Sequence, residues 1–453
     1  SRSLSGGEWQ RVQMAKCLGH NFNDTLYCLD EPTSGLHQED IKTLVVILKK
    51  LRDQGNTIVA VEHEKHVIDQ ADYIVEIGPE SGSKGGFVVT SGYNQDLKST
   101  KRYKPNTFAL FPIPETSTKK LSFITIKEAN THNLKSVCAQ IALGKINGVC
   151  GLSGSGKTSL VKETLYPLLH EKIYKVIPDN YAPKAKGIYP KNLIDKIKSI
   201  QLIDQSPIAR NRRSNLATYL GMGDSIRNLF SKTPEAIKQE LRPGSFSFNS
   251  PGGRCDSCSG LGFVTEDLSF LGLVETTCRV CLGKRFSNDI LKIKYQNHSI
   301  SDILNLTIKD AAKVFYDHKK IRQIATTVSD LGLDYMTLGQ SLSSFSGGEA
   351  QRLKLLSLLT KIDEQQKSIL IFDEPSSGLS DKDIYNLTTH FKKLSTLGHT
   401  IIIVEHHCGI LRSCDWLLEI GPGAADKGGE LIFQGPVNNI KHIKNSKTAK
   451  YLL

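Results

Sequence analysis

Gly151-Leu-Ser-Gly-Ser-Gly-Lys-Thr-Ser159 decides how this chain is read. The apolar run Ile146 to Cys150 precedes it, and Leu160-Val161-Lys162-Glu163-Thr164-Leu165 follows. The pattern predicts a strand, a glycine-rich turn and a helix start, the setting in which G-x-x-x-x-G-K-T cradles phosphate. Gly151, Gly154 and Gly156, with Ser153 and Ser155 between them, let backbone N–H groups face an anion at the helix end. Lys157 would reach the β- and γ-phosphates, the Thr158 hydroxyl would ligate Mg²⁺, and Ser159 closes the stretch. The bland alternative is a flexible Gly/Ser loop, which the flanking strand and helix patterns disfavour. ATP with Mg²⁺ is the expected ligand.

Working outward, the chain repeats itself. Residues 3–11 read Ser-Leu-Ser-Gly-Gly-Glu-Trp-Gln-Arg, and residues 344–352 read Ser-Phe-Ser-Gly-Gly-Glu-Ala-Gln-Arg. A helical pattern follows each, so Ser5, Gly6 and Gly7, like Ser346, Gly347 and Gly348, could form a second anion site at a helix start. One copy could be an ordinary N-cap; two copies suggest otherwise. Leu26-Tyr-Cys-Leu-Asp30-Glu31-Pro32 matches Ile369-Leu-Ile-Phe-Asp373-Glu374-Pro375, each expected to be a fully buried parallel strand ending in two acids. Val61-Glu62-His63 matches Val404-Glu405-His406, and Ile77-Gly78-Pro79 matches Ile420-Gly421-Pro422. The offset is 341 residues at the Ser-Gly-Gly motif and 343 at the others, which marks an internal repeat of a whole lobe. Asp373 would hold Mg²⁺ through water, Glu374 would orient the attacking water and His406 would contact the γ-phosphate. Asp30, Glu31 and His63 are their counterparts in the first repeat.

The 453 residues suffice for two or three domains, and the net charge of +12 points to a polyanionic partner. From Lys172 to Arg213 ten Lys/Arg stand against Asp179, Asp195 and Asp204, a net of +7, with Tyr174, Tyr181, Tyr189 and Tyr219 in or beside the run. A solvated face is the ordinary explanation; nucleic-acid contact through Arg210, Arg212 and Arg213 is the sharper one. No apolar run approaches a membrane span, and a cytoplasmic protein without a membrane partner is expected. The opening at Ser1, inside a motif, suggests a piece of a longer protein. Ten cysteines include Cys255-x-x-Cys258 and Cys278-x-x-Cys281, separated by nineteen residues. That spacing suits one structural Zn²⁺ held by four thiolates, with Gly260 and Gly283 in the turns. Lys284 and Arg285 border the module as candidate DNA contacts, although it could equally be scaffolding.

The order of phosphate cradle, Ser-Gly-Gly-Glu signature, acid pair and histidine resembles the ATP-binding cassette family. The resemblance implies that Gln205 is the glutamine of that family's Q-loop, and that each nucleotide site faces the other lobe's signature. A cysteine module inside such a lobe narrows the resemblance to the UvrA family, damage-recognition ATPases of bacterial nucleotide excision repair. Asn130-Thr-His-Asn-Leu-Lys135, Ile203-Asp-Gln-Ser-Pro-Ile-Ala-Arg210 and Phe246-Ser-Phe-Asn-Ser-Pro-Gly-Gly-Arg-Cys255 carry it, and it covers essentially the whole chain as the C-terminal half. The implied fold is α/β, with P-loop ATPase lobes, helical signature subdomains and a Cys₄ zinc module. The implied division is residues 1–112, part of a first lobe with signature, acid pair and His; 113–215, the cradle and Q-loop part of a second; 216–340, an insertion with the zinc module; and 341–453, the rest of the second. Residues 92–120 read as a linker. The implied partners are damaged duplex DNA, a UvrB-like repair protein and a second copy in a homodimer, with no intrinsic nuclease. Trp9, Phe345, Ala209 and Ser380 depart from the family pattern. They leave open a divergent paralogue linked to antibiotic resistance; the missing first phosphate cradle leaves open a fragment that binds ATP without turnover.

Overall fold

The structure is a computed structural model that describes residues 23–33, 35–78, 85–99, 111–114, 121–204, 208, 213–267, 273–345, 347–359, 366–377, 379 and 381–452. The expectations for Ser5, Gly6, Gly7, Gln205, Arg210, Arg212 and Ser346 fall outside the described residues. Two compact units divide the chain, one from residues 1–79, 87–205 and 363–453, the other from 80–86 and 206–362.

The first unit opens with β1 (Leu26–Asp30), β2 (Thr57–Val61), β3 (Tyr73–Gly78) and β4 (Phe87–Tyr93). It continues through β5 (Phe123–Ala129), β6 (Val137–Ala142), β7 (Ile146–Cys150), β8 (Gly187–Tyr189) and β9 (Ser199–Ile203). The second unit contributes the antiparallel hairpin β10 (Phe263–Asp267) and β11 (Leu273–Thr277). The chain then returns as β12 (Ser368–Asp373), β13 (Thr400–Val404), β14 (Trp416–Gly421) and β15 (Glu430–Pro436). A six-stranded sheet forms in the order β15-β14-β7-β13-β12-β9, all parallel except β15. Its centre is apolar on both faces, as parallel strands covered on both sides must be. Every residue of β7, β13 and β14 is buried, and so are the first five of β12. Ile124, Ile126 and Ile141 of the smaller sheet β6-β5-β8 share a core with Val149, Leu160, Leu165, Ile371 and Ile402. Each such burial is worth about 1.5–3 kcal/mol. That core fixes β7, and with it the turn at residues 151–156.

The four strands of the first repeat lie 343 residues before β12–β15, and helix α1 (Gln38–Asp53) has the same relation to a helix over Asp381–Thr396. Even an irregularity recurs: the register shifts between Glu76 and Ile77 on β3, and between Glu419 and Ile420 on β14. The strands are nevertheless covered differently. β1 alternates exposed and half-buried residues, contrary to the expectation of full burial. The cause is topological. In the second repeat β7 lies between β13 and β14 and joins them into one sheet. Among the described residues no strand stands between β2 and β3, so the first repeat forms two separate two-stranded sheets.

The second unit is mainly helical, including α2 (Lys319–Asp330) and α3 (Gly347–Leu359). α2 buries Ile321, Ile324, Ala325 and Val328, the i, i+3, i+4, i+7 face of an amphipathic helix. Gly347 and Gly348 lie at the start of α3, the Ser-Gly-Gly helix of the second repeat.

Candidate functional site

β7 delivers Gly151 into a turn in which Gly151, Gly154 and Gly156 all have positive φ (136°, 72° and 110°). At Gly151 a side chain is excluded outright, since a Cβ would lie 2.0 Å from the Ile420 carbonyl oxygen. The turn ends in a short helix, Lys157–Leu160, whose first residue is buried. Lys157 Nζ donates to the carbonyl oxygens of Gly151 (3.1 Å) and Leu152 (2.8 Å). Burial lowers the Lys157 pKa, opposed first by Glu374 among the nearby acids. Thr158 is exposed on that helix, Ser155 is fully buried, and the Ser159 hydroxyl donates to Asn133 Oδ1 (3.4 Å).

β12 ends at Asp373, and Glu374 follows in a left-handed conformation, φ 49°, its N–H donating to the Val404 carbonyl at 2.9 Å. Glu31 does the same after β1, with φ 43° and a 2.9 Å bond to Val61. His406 Nε2 lies 3.9 Å from Glu374 Oε1, and His63 Nδ1 lies 3.9 Å from Glu31 Oε1. The structure thus brings each acid to its histidine in both repeats. Burial, reinforced by Asp373 and Glu405, raises the Glu374 carboxyl to about 7, against an opposing effect of Lys157. A carboxylate so placed can accept a proton from water near neutral pH. Burial raises the Asp373 pKa as well. Asp373 and Thr158 are the residues that could hold Mg²⁺.

Two glutamate clamps complete the geometry, and neither glutamate has a role predicted from sequence. Glu405, 2% exposed, accepts from the N–H groups of Ser376 (3.2 Å), His406 (2.7 Å) and His407 (3.0 Å). Glu62 accepts from Thr33 N (2.8 Å) and Oγ1 (2.9 Å), His63 N (3.2 Å) and Glu64 N (3.3 Å). Each ties the histidine strand to the turn after the acid pair. The signal was present: a glutamate precedes the histidine in both copies of the repeat. Also unpredicted was the contact of the first repeat with the phosphate turn. Ser153 Oγ donates to the Gly35 carbonyl (3.1 Å), and Ser153 N–H donates to Asp40 Oδ2 (3.3 Å).

In the second unit the sulfurs of Cys255, Cys258, Cys278 and Cys281 all lie within 4.8 Å of one another, and all four residues are buried. The Cys255–Cys278 and Cys258–Cys281 sulfur pairs are 4.0 and 3.6 Å apart. Zn–S bonds of about 2.3 Å in a tetrahedron require sulfurs near these separations, so the donor set fits one Zn²⁺. Gly262 N–H donates to Cys258 Sγ at 3.2 Å, the support a thiolate ligand needs. Gly260 takes φ 80°, and a Cβ there would meet the Phe248 carbonyl oxygen at 1.8 Å. Of the candidate DNA contacts, Lys284 is exposed. Arg285 is half-buried, stacked over the Phe248 ring at 5.2 Å and donating to the Gly339 carbonyl at 3.2 Å, so it braces the module. The basic run is divided between the units. Lys172–Lys198 lie in the first, where Tyr166, His170, Tyr174 and Tyr181 pack on one another, and Arg213 lies in the second.

No family model matches the chain. It is 42% identical over 455 residues to the UvrABC system protein A of Clostridium perfringens, and 39% identical over 455 residues to that of Aquifex aeolicus. Each match covers 99% of this chain and 48% of the relative. The crystal structure of UvrA2 from Deinococcus radiodurans superposes with a TM-score of 0.89 at 36% identity, covering all of this chain and 55% of that one. This chain is a homologue of one half of UvrA. The matching half is the C-terminal one. The UvrA-like chain therefore spans about half the length of the curated relatives it matches. A chain from a model of ribosome-bound archaeal Pelota and ABCE1 shares the fold alone, with a TM-score of 0.53 at 17% identity. Among the described residues no helix is long and apolar enough to cross a membrane.

Proposed function

We propose that this UvrA-like chain carries one complete ATP site of a DNA-damage-recognition ATPase, and that nucleotide turnover there controls its hold on duplex DNA. The observation that carries the reading is the convergence of the phosphate turn, the acid pair and a buried His406 on one sheet, with Glu374 raised to about 7. Lys157, Thr158, Asp373, Glu374 and His406 would bind and cleave ATP with Mg²⁺, and Gln205 and the Ser5-Gly6-Gly7 signature would complete the site. Asp30, Glu31 and His63, with Ser346-Gly347-Gly348, belong to a second site whose phosphate turn this chain lacks. The zinc module, with Lys284, and the basic run ending at Arg213 would engage the DNA backbone, giving steep salt dependence and little sequence preference. A UvrB-like partner, a homodimer and the absence of nuclease activity are further parts of the proposal, with domain limits as read from the sequence.

ATP hydrolysis measured with and without duplex DNA tests this. Turnover stimulated or suppressed by DNA, and abolished by Lys157→Ala, is expected. ATP bound without turnover would leave a DNA-binding assembly fragment instead.

A further inference from the structure

We propose that His37, contributed by the first repeat, is a positioning residue of the second repeat's ATP site. Its ring stands edge-on to His406 and couples that ring to the C-terminal segment through Thr448. The inference rests on the reading of His406 as the γ-phosphate contact.

His37 is 2% exposed, and its ring centroid lies 5.9 Å from that of His406 at an interplanar angle of 76°. Both hydrogen-bonding positions of the ring are assigned by their partners. Nδ1 accepts the Glu39 backbone N–H (3.2 Å), so it carries no proton, and in a neutral ring the proton sits on Nε2. Nε2 faces Thr448 Oγ1 at 3.4 Å, and Thr448 Oγ1 donates onward to Glu419 Oε1 at 2.9 Å. The resulting chain runs His37 Nε2–H to Thr448 O–H to Glu419. Glu419, 2% exposed on β14 and paired in register with Cys150 at the head of the phosphate turn, also accepts the N–H groups of Lys447 (2.9 Å) and Thr448 (3.0 Å). Glu39, Asp40, Lys157, Lys450, Tyr451 and His406 face the ring, and burial first, then Lys157, lowers the His37 pKa to about 4. The ring thus stays neutral through the physiological range.

The residues around His37 hold it in place. Gly35 and Asp40 both bond Ser153, and Gly35 has φ 69°, with a Cβ destined to lie 2.8 Å from Glu374 Oε2. Tyr451 and Lys450 both engage the Glu39 carboxylate, and the Tyr451 ring packs on His37 at 6.0 Å. The segment from Gly35 to Asp40 therefore touches the phosphate turn, the candidate general base and the candidate γ-phosphate contact together. The repeat offset places Ser380 where the first repeat has His37. A serine has no ring, so the second repeat's sequence carries no counterpart of His37.

His37→Asn provides the test in the full 453-residue chain, because an asparagine oxygen can still accept the Glu39 N–H and cap α1. With thermal midpoint unchanged, kcat is expected to fall about tenfold while affinity for a non-hydrolysed ATP analogue stays within about twofold. Thr448→Val should lower kcat about threefold, and Thr448→Ser should restore it. Wild-type kcat in His37→Asn would reduce His37 to a helix cap and overturn the inference alone. A parallel loss of kcat, analogue affinity and thermal midpoint would make it a folding residue and also overturn it. Absence of turnover in the unmodified chain, against a Lys157→Ala background, would overturn the ATPase reading and this inference with it.

Discussion

Glu31 and His63 face each other across 3.9 Å with side chains 35% and 49% exposed; Glu374 and His406 keep the same 3.9 Å at 27% and 7%. The left-handed acid, the 2.9 Å bond to the neighbouring strand and the glutamate clamp recur in both repeats. What differs is β7. In the second repeat it completes the sheet and brings Lys157 beneath the acids; in the first repeat nothing among the described residues takes that place. Local backbone geometry is thus encoded within each repeat, whereas dielectric environment is conferred by the neighbouring strand. Enclosure pushes the Glu374 carboxyl toward neutrality, with desolvation the largest cause.

Removing the carboxylate from each copy should separate the repeats most strongly. Glu374→Gln should lower ATP turnover by about 10²–10⁴ with ATP still bound, while Glu31→Gln should change it by less than about twofold, as steady-state hydrolysis would show. Equal losses would mean that both repeats turn over ATP. Ser5→Arg should block hydrolysis with nucleotide retained, and normal turnover would show that a different surface completes the site.

A smaller difference concerns pH. Because the folded-state pKa of His37 is lowered to about 4, the unfolded chain binds the extra proton first as pH falls. The stability contributed by burying the neutral ring is present above about pH 6.5 and is lost progressively toward pH 4, up to about 3 kcal/mol. Denaturant midpoints of the unmodified chain and His37→Asn, alike at neutral pH, should therefore diverge on acidification as the unmodified chain alone loses this stability; parallel curves would show that His37 is not held neutral.

Smaller again is the pair of clamps. Glu405→Ala leaves three N–H groups without their acceptor at a position 2% exposed, and should destabilise by about 3 kcal/mol in equilibrium unfolding. Glu62→Ala, where water can replace the lost acceptor, should cost less than about 1 kcal/mol. Similar values would show that burial does not separate the repeats.

Local sequence sets which short stretches bend and which chemistry they carry. Gly151 to Thr158, the acid pairs and the Cys-x-x-Cys pairs are local patterns whose backbone demands are met within a few residues, so they are legible without tertiary structure. The 343-residue offset likewise revealed two copies, and it holds for strands, for α1 and for a register shift on β3 and β14. Tertiary structure alone decided that β1 is partly exposed while β12 is buried, because burial depends on strands far away in the chain. It also decided that Arg285 stacks on Phe248 and bonds the Gly339 carbonyl beside the four-cysteine module, and that Glu405 clamps the turn after the acid pair. The approach of His37 to His406 was equally out of reach: 369 residues separate them, and no periodicity or spacing encodes a contact made only when two repeats pack together.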